Sequence, residues 1–247
     1  MLTTYITQTQ RLLQNPAPAT GLYSTSAVTD YINVARKQLA GESECIRVIG
    51  TINTVDGQRN YSFADINLGS AAGVAGVFNI RRINYASGDG QIFVTPRSWE
   101  WFDQYCLNNA APLGAELGAR YPRTWSQYGQ GGGAPSGTSA QSGTFYIDPI
   151  PDGVYTLYCD CTCYPVTLVD DSTAEAIPFI FTDAVPFFAA WYALLSNQTQ
   201  ARRADAEAFY SYYLTFLERA KKISTPAVLG QQYEQMPDSF APGGQGR

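Results

Sequence analysis

Histidine is absent from all 247 residues of the chain. It is the commonest general base, the usual activator of serine and cysteine nucleophiles, and the commonest metal ligand in proteins. Its absence argues against most familiar hydrolase and metalloenzyme mechanisms and leaves hydrolysis by two carboxylates as the catalytic alternative. We therefore expect a protein that is not an enzyme and that holds no cofactor and no metal ion.

Charged residues are scarce, at 15% of the chain, whereas hydrophobic residues make up 45%. The net charge is −5, so the chain is a poor match for proteins that grip a phosphate backbone with clustered lysine and arginine. So little charge predicts a surface that other copies or other proteins cover. The 17 tyrosines suit such contacts, because each has a large rigid ring with one polar tip, although strands and cores use tyrosine too.

Long apolar segments are also missing from the sequence. The N-terminal "MLTTYITQTQRLLQNPAP" lacks the basic start and apolar run of a signal peptide. The longest apolar run, "AVPFFAAWYALL", is shorter than the roughly 18 residues that cross a bilayer. We expect no membrane association, and we expect a reducing cytoplasm in which structural disulfides are rare.

Five segments are predicted to form helices, from apolar residues at helical spacing or from capping residues and prolines at their ends. The predicted helices cover residues 4–14, 26–40, 96–109, 182–196 and 199–224. We expect Thr3 or Thr4 to cap the first helix, and Ser24 or Ser26 to cap the second. Gly41 is expected to end the second helix. The last helix is expected to pack along one apolar stripe, formed by Phe209, Tyr213, Phe216, Ala220 and Ile223.

Between the helices the apolar pattern changes to the two-residue period of strands. The pairs Asp56–Gly57 and Asp152–Gly153, and the turn at Ser87–Gly90, each predict a β-hairpin. The segment 129–143, "GQGGGAPSGTSAQSG", has no period and is expected to form a loop or linker. It lacks the GxxxxGK[ST] pattern and the following helix of a phosphate-binding loop.

This order of elements predicts an α+β fold. We expect an α-helical bundle core formed by the N- and C-terminal helices, with a large antiparallel β insertion and an extended C-terminal tail. The discontinuous helical core is assigned to residues 1–44 and 166–225, and the β-rich insertion to residues 45–165. Residues 226–247 have no apolar period, so we expect an extended arm.

Three of the five cysteines stand in "YCDCTCY", residues 158–164. In a strand, Cys159, Cys161 and Cys163 share one face, and Tyr158 and Asp160 lie on the other. Same-face Cα atoms are about 6.5 Å apart, so neighbouring thiols cannot form a disulfide unless the strand bends. A zinc site would need about four converging ligands. We therefore predict a buried face of unlinked thiols, with metal, redox or nucleophilic roles as the alternatives.

Two sets of charged residues are further candidates for function. Asp148, Asp152 and Asp160 are the residues to test for acid–base glycoside hydrolysis, although turn and cap chemistry explains loop aspartates as well. The basic residues of the last helix are Arg202, Arg203, Arg219, Lys221 and Lys222. They predict either a DNA-channel or ring-contact face, or a solvated face of ion pairs along the helix.

Several stretches of the sequence resemble one family of bacteriophage proteins. They are "LYSTSAVTDYINVARKQLAGESECIR", "WEWFDQYCLN", "PRTWSQYGQG", "FYIDPIPDGVYTL" and "ARRADAEAFYSYYLTFLERAKKISTPAVLGQQY", spread over residues 1–235. They are similar to the head-to-tail adaptors of tailed phages, also called tail accessory or head-completion proteins. The family signature contains no catalytic residue that matches this sequence, so none transfers.

The resemblance implies a ring of copies, usually twelve, beneath the portal at the head–tail junction of the virion, assembled in the cytoplasm of the bacterial host. The implied partners are further copies of the chain, the portal protein, tail or nozzle proteins, and tail fibres. Double-stranded DNA would pass through the ring without specific binding. The arm would reach the portal or a neighbouring subunit, and its candidate anchors are Val228, Leu229, Tyr233, Met236 and Phe240.

The composition agrees with this family. A closed ring needs two different contact faces on each subunit, which suits low charge and many tyrosines. Two alternatives remain open at this point. One is a carbohydrate-binding or glycan-cleaving protein of a phage tail, and the other is a tail-tube or closure protein.

Overall fold

The computed structural model describes residues 1–15, 22–87, 90–107, 121–129, 143–196 and 202–224. The helices in these ranges are α1 (Leu2–Leu12), α2 (Thr25–Ser43), α3 (Trp99–Phe102), α4 (Ala184–Ser196) and α5 (Arg203–Ser224). The strands are β1 (Arg47–Asn53), β2 (Asn60–Ser62), β3 (Val74–Ser87), β4 (Gly90–Pro96), β5 (Thr124–Tyr128), β6 (Thr144–Asp148) and β7 (Thr156–Pro165). The predicted α+β class is confirmed.

The long helices pack around α4, which contacts α1, α2 and α5. Its sequence, "AVPFFAAWYALLS", is apolar on nearly every side, as a central helix must be. Ala189, Ala190 and Ala193 are fully buried, and their small side chains let neighbouring helices approach closely. The helical part of the molecule is therefore a bundle organised around one apolar helix.

The stretch Phe179–Ser196 has the length and apolarity of a membrane-crossing helix, with a mean hydropathy of 1.4 over 18 residues. The prediction that every apolar run is too short was therefore wrong, because the apolar turn Phe179–Phe181 adjoins α4. In the structure, 56% of this stretch is buried. Core helices of bundles pass the same test of length and composition, and the packing of α4 favours that interpretation.

The first helix begins earlier than predicted. Met1 occupies the N-cap position without a side-chain hydrogen bond, so neither predicted threonine caps α1. Instead, the carboxylate of Asp171 accepts the Thr3 backbone N–H at 2.9 Å and binds the Met1 amino group at 2.7 Å. A distant acidic residue thus supplies the anion that a helix N-terminus favours.

The second helix starts as predicted and ends later. The hydroxyl of Ser24 accepts a first-turn N–H and caps α2. The helix does not end at Gly41 but continues to Ser43. The reason is that Glu44, rather than the glycine, adopts the left-handed conformation that closes the helix.

The predicted helix 96–109 starts later than expected and is α-helical only in its first turn, and residues 108 and 109 lie outside the described part of the chain. Pro96 does not begin it, because Pro96 is the last residue of β4 and pairs with Trp125 of β5. The helix begins after Ser98, whose hydroxyl caps it, and α3 changes at Asp103 to a π-helical turn that extends to Leu107. A tertiary strand pairing has overridden the local preference of proline for a first helical turn.

The apolar stripe of α5 is partly as predicted. Tyr213 and Ala220 are fully buried. Ile223 is not, since 52% of its surface is exposed, and the stripe curves instead through Ala206 and Leu217, which are buried. Among the described residues, the buried stripe of α5 therefore ends at Ala220.

The seven strands form one curled sheet in the order β1-β7-β3-β4-β5-β6-β2. The insertion is antiparallel as predicted except for the β4–β5 pair, which is parallel, so the sheet is mixed. Residues 97–123, which connect these two strands, are long enough for the crossover that parallel pairing requires. Thr51 of the edge strand β1 and Asn67, which follows the other edge strand β2, exchange two backbone hydrogen bonds of 2.9 and 2.8 Å, so the curl brings the two edges of the sheet together.

Only one of the three predicted hairpins is present. Strands β3 and β4 pair across the turn, with Ser87 opposite Gly90, which confirms that prediction. The other two were wrong, because β1 pairs with β7 and β2 pairs with β6. The turn at Gly57 does form, with φ +75°, but it leads the chain from one edge of the curled sheet to the other.

One hydrophobic core includes residues from the long helices and from the sheet. The thiol-bearing face of β7 belongs to it: Cys159, Cys161 and Cys163 are fully buried, and β7 packs against α2. The prediction of a buried thiol face is confirmed. The division into a core of residues 1–44 and 166–225 and an insertion of residues 45–165 stays a prediction.

Candidate protein contact surfaces

The bundle has an apolar groove between α1, α4 and α5, which we call the bundle groove. Its volume is about 500 Å³. Apolar side chains form its floor and polar ones its rim. The floor consists of Leu12, Pro186, Phe187 and Phe216, and the rim of Gln8, Arg11 and Asp183.

Aromatic rings continue the groove along α5. The ring of Phe187 lies 5.7 Å from that of Phe216 and 5.5 Å from that of Tyr212. Phe187 and Phe216 are only partly buried, and Tyr212 is 57% exposed. Aromatic side chains with open faces are typical of protein contact sites.

A second aromatic surface surrounds α3, and we call it the α3 patch. The ring of Trp99 lies 4.6 Å from Tyr128 and 4.9 Å from Tyr146. Beside it, the guanidinium of Arg97 sits 4.8 Å above the ring of Trp101, a cation–π contact. Tyr128 is 56% exposed, so the patch is open to a partner.

Two of the predicted basic residues at the start of α5 are already engaged within the chain. Arg202 donates to the backbone oxygen of Leu13 at 2.8 Å and lies 3.7 Å from the Asp205 carboxylate. Arg203 pairs with Glu207 at 3.4 Å, one helical turn away. These contacts agree with the ion-pair interpretation at this end of the helix, and the DNA-channel or ring-contact role of Arg202 and Arg203 stays a prediction.

The basic residues at the other end of α5 are less engaged. Lys221 approaches Glu42 of α2 at 4.0 Å. Arg219 and Lys222 are exposed, and neither has an ion pair within the part of the chain that the structure describes. They remain the basic residues available for a partner. The predicted arm anchors lie outside the described residues: Val228, Leu229, Tyr233, Met236 and Phe240.

The first candidate acid is held in a structural pair. Asp148 is buried and lies 3.3 Å from the guanidinium of Arg59, which also donates to the Cys106 backbone oxygen at 2.7 Å. Burial raises the pKa of Asp148, and the charge of Arg59 opposes that rise. Burial, followed by the negative charge of Asp148, raises the pKa of the Cys106 thiol to about 11.

The other two candidate acids have different partners. Asp152 accepts a hydrogen bond of 2.6 Å from the Tyr155 hydroxyl. Asp160 forms an ion pair with Arg47 across the β1–β7 pair. Each of the three candidate aspartates is thus engaged by a neighbouring side chain within its own turn or sheet.

The thiols have the chemistry of buried, unreactive cysteines. All five cysteines are free and buried. Burial raises the pKa of Cys159 and of Cys163 to about 12, and it raises the pKa of Cys161 as well. Thiolate is the reactive form of cysteine, so these groups are poor nucleophiles at neutral pH. Among the described residues, no three His, Cys, Asp or Glu side chains are grouped to hold a metal ion.

Sequence reasoning missed both contact surfaces. It placed Phe216 on a packing stripe, but it did not join that residue to Phe187 and Leu12, which come from two other helices. One signal was available in the sequence. Helix α5 has more aromatic residues than one apolar stripe can bury, and Tyr212 is an example. The α3 patch was missed because its rings come from α3, β5 and β6.

Taken together, the described surface offers aromatic contact sites and structural ion pairs, which is typical of a subunit that functions by binding other proteins. The model of one family, SU10 adaptor protein, matches residues 2–238. The chain belongs to this family of phage head-to-tail adaptors, which confirms the resemblance seen in the sequence. It is therefore a structural component of a phage virion that interacts with other head and tail proteins. No curated protein matches the chain significantly.

Proposed function

We propose that copies of this adaptor form a closed ring, of twelve subunits, beneath the portal. The ring extends the DNA channel and is the docking platform for tail components. The observation that carries the proposal is the family match over residues 2–238. The two contact surfaces support it, because a closed ring requires two different patches per subunit, and the bundle groove and the α3 patch lie on different elements.

In this proposal the two parts of the chain have different tasks. The helical core, residues 1–44 and 166–225, builds the ring. The insertion, residues 45–165, projects toward tail or nozzle proteins, tail fibres or neighbouring copies. Exposed apolar side chains on the sheet support such contacts: Ile49 of β1 is 70% exposed and Phe93 of β4 is 46% exposed.

The C-terminal arm, residues 226–247, makes the contact with the portal or with the next subunit. Its apolar side chains are the anchors, and ordering such a segment requires a partner that offsets the lost entropy. The proposed anchors are Val228, Leu229, Tyr233, Met236 and Phe240.

Passage of DNA favours weak contact with the channel wall. Tight phosphate contacts would slow sliding, and a chain of net charge −5 avoids them. We place the protein at the head–tail junction of the virion, after assembly in the host cytoplasm. No enzymatic activity is required for this role.

Deletion of residues 226–247 tests the arm. The shortened protein should fold normally but bind purified portal rings more weakly, as measured by native mass analysis with and without the portal. Deletion of residues 241–247 alone is the matched control, because it keeps all five anchors. Unchanged portal affinity after the longer deletion would show that the arm is not the contact.

Images of particles test the ring itself. A collar with twelvefold symmetry between portal and tail supports the proposal. Density for this chain along the tail tube or at the tail tip would instead support the tail-tube or closure alternative. A glycan-cleaving role has less support, because Asp148, Asp152 and Asp160 each have a structural partner.

A further inference from the structure

The bundle groove has an uncovered apolar floor, and it lies within reach of the segment that follows α5. Its floor combines side chains from α1, α4 and α5, and Phe187 and Phe216 both present ring surface to it. Burying such rings is favourable by roughly 25 cal/mol per Å² of apolar surface removed from water. The groove therefore suits an apolar or aromatic anchor.

The charged side chains on the rim of the groove also restrict which segment can bind there. Arg11 on α1 and Asp183 before α4 stand on this rim. Neither side chain has a hydrogen bond or an ion pair within the described part of the chain. An apolar floor next to an unpaired guanidinium fits a segment in which an aromatic residue adjoins an acidic one.

The chain carries such a segment just beyond α5. Residues 225–247 follow Ser224, and they contain the pair Tyr233–Glu234. Within that stretch, Tyr233 is the first aromatic residue and Glu234 is the first acidic one. The aromatic and acidic groups thus stand side by side, as the apolar floor and the guanidinium of Arg11 require.

The reach of this segment matches the distance to the groove. Phe216 precedes Ser224 by eight residues, so the groove lies about 12 Å back along the helix axis. Residues 225–233 can span up to about 30 Å, which leaves length for the chain to reverse direction. Residues 225–228 span only about 13 Å, so Val228 has no length to spare for the reversal.

We propose that the C-terminal segment of the isolated subunit occupies the bundle groove of the same subunit, with Tyr233 on the apolar floor and Glu234 at Arg11. A tether of this length gives an effective concentration in the millimolar range, which favours the subunit's own groove over that of another molecule. Docking in the groove does not depend on the proposed ring. Only its consequence for assembly rests on the proposed function. The segment that serves as the arm must leave its groove before it reaches a partner, so subunits would remain separate until a portal or a neighbour competes for the arm.

Disulfide trapping in the full-length protein, without any portal, tests the docking. The variant Gln8→Cys/Gln235→Cys places one thiol on the groove rim and one beside Glu234. The native cysteines are buried, so a mild oxidant acts first on the introduced pair. We expect a crosslink within the monomer that shifts its mobility on a non-reducing gel. The matched control Gln91→Cys/Gln235→Cys has its first thiol on β4 and should crosslink at least tenfold more slowly.

Mixing the two single variants, Gln8→Cys and Gln235→Cys, separates docking within a subunit from docking between subunits. The proposal expects no crosslinked dimer above the control level. Efficient dimer formation would overturn it and assign the groove to the arm of another copy. Absence of a crosslink in the double variant would overturn groove docking altogether, while the ring proposal would stand or fall on portal binding.

Charge exchange tests the register of the docked segment. In the double-cysteine background, Arg11→Glu and Glu234→Arg should each slow crosslinking several-fold, and the combined variant should restore the original rate. Tyr233→Ala should slow it further, because the aromatic anchor is lost. Equal rates in all four variants would overturn the placement of Tyr233 and Glu234.

Discussion

Arg36 of α2 and Glu175 form a buried ion pair in which both guanidinium edges are used. The Nη2 and Nε atoms of Arg36 donate to the Glu175 carboxylate at 2.7 and 3.0 Å. The third nitrogen, Nη1, donates to the Val166 backbone oxygen at 2.7 Å and to Asn33 at 3.2 Å. Arg36 is 1% exposed, so this pair fixes the segment after β7 onto α2 in a site with little water.

Replacing Glu175 should strongly destabilise the protein. Glu175→Gln leaves the Arg36 charge buried without an anion, and breaking a buried pair typically costs about 3–5 kcal/mol. The free energy of unfolding, measured by urea titration, should fall by about that amount. The control is Glu207→Gln, which breaks the exposed pair with Arg203 and should change it by less than about 0.5 kcal/mol. Similar values for the two variants would show that the buried pair adds little.

Gly50 should not accept a side chain. A Cβ at this position of β1 would overlap the Cγ2 of Ile66 and lie 3.2 Å from the Cδ2 of Leu68. Gly50→Ala should therefore destabilise the protein by about 1–3 kcal/mol, the usual cost of overpacking. Gly76→Ala on β3 is the matched control, because a Cβ there meets nothing within 4 Å. A thermal melt of both variants makes the comparison, and equal melting temperatures would contradict the prediction.

Element types could be predicted from the sequence where one local period dominates. The helices α2 and α5 and the strand β7 have such periods, and the alternation in "YCDCTCY" correctly predicted which thiols are buried. The predicted pairings failed where long-range contacts decide. Arg47 of β1 pairs with Thr162 of β7, which is 115 positions later in the sequence. A turn motif between consecutive strands cannot indicate a pairing over such a distance.

The candidate surfaces were harder to predict than the fold for a similar reason. Leu12, Phe187 and Phe216 have the apolar character of core residues, and only the crossing of three helices makes them the floor of a groove. The start of α1 is set by Asp171, which a local capping rule cannot anticipate. Tertiary contacts thus decide where these candidate surfaces form.

The buried thiols should make stability fall at high pH. Burial raises the pKa of Cys159 from 9.0 to about 12 in the folded protein. Between these two pH values the unfolded thiol ionises and the folded one does not, so its contribution is complete below pH 9 and declines above it. The slope of the unfolding free energy against pH, measured from pH 9 to 11, should be less steep in Cys159→Ala by up to about 1.4 kcal/mol per pH unit. Parallel slopes would contradict the assignment, whatever the absolute stability of the variant.

The same burial should protect the thiols from reagents. At pH 8 a thiol-specific reagent should label the native protein far more slowly than the urea-unfolded protein, because Cys159, Cys161 and Cys163 are inaccessible and protonated. Mass spectrometry of the labelled peptides identifies each site. Rapid native labelling within "YCDCTCY" would show that β7 opens readily or that its thiols face a solvent-filled space.

The two basic residues left without an ion pair near the end of α5 should matter for assembly. Arg219 and Lys222 are exposed one helical turn apart, and the combined reversal Arg219→Glu/Lys222→Glu removes two positive charges and adds two negative ones. If they contact a neighbouring subunit, native mass analysis without DNA should show a several-fold loss of ring at a fixed concentration. Lys37→Glu on the exposed face of α2 is the control for charge change alone. A ring that forms normally but ejects DNA differently would instead assign these residues to the channel wall. If neither ring formation nor DNA ejection changes, the two residues belong to a solvated helix face.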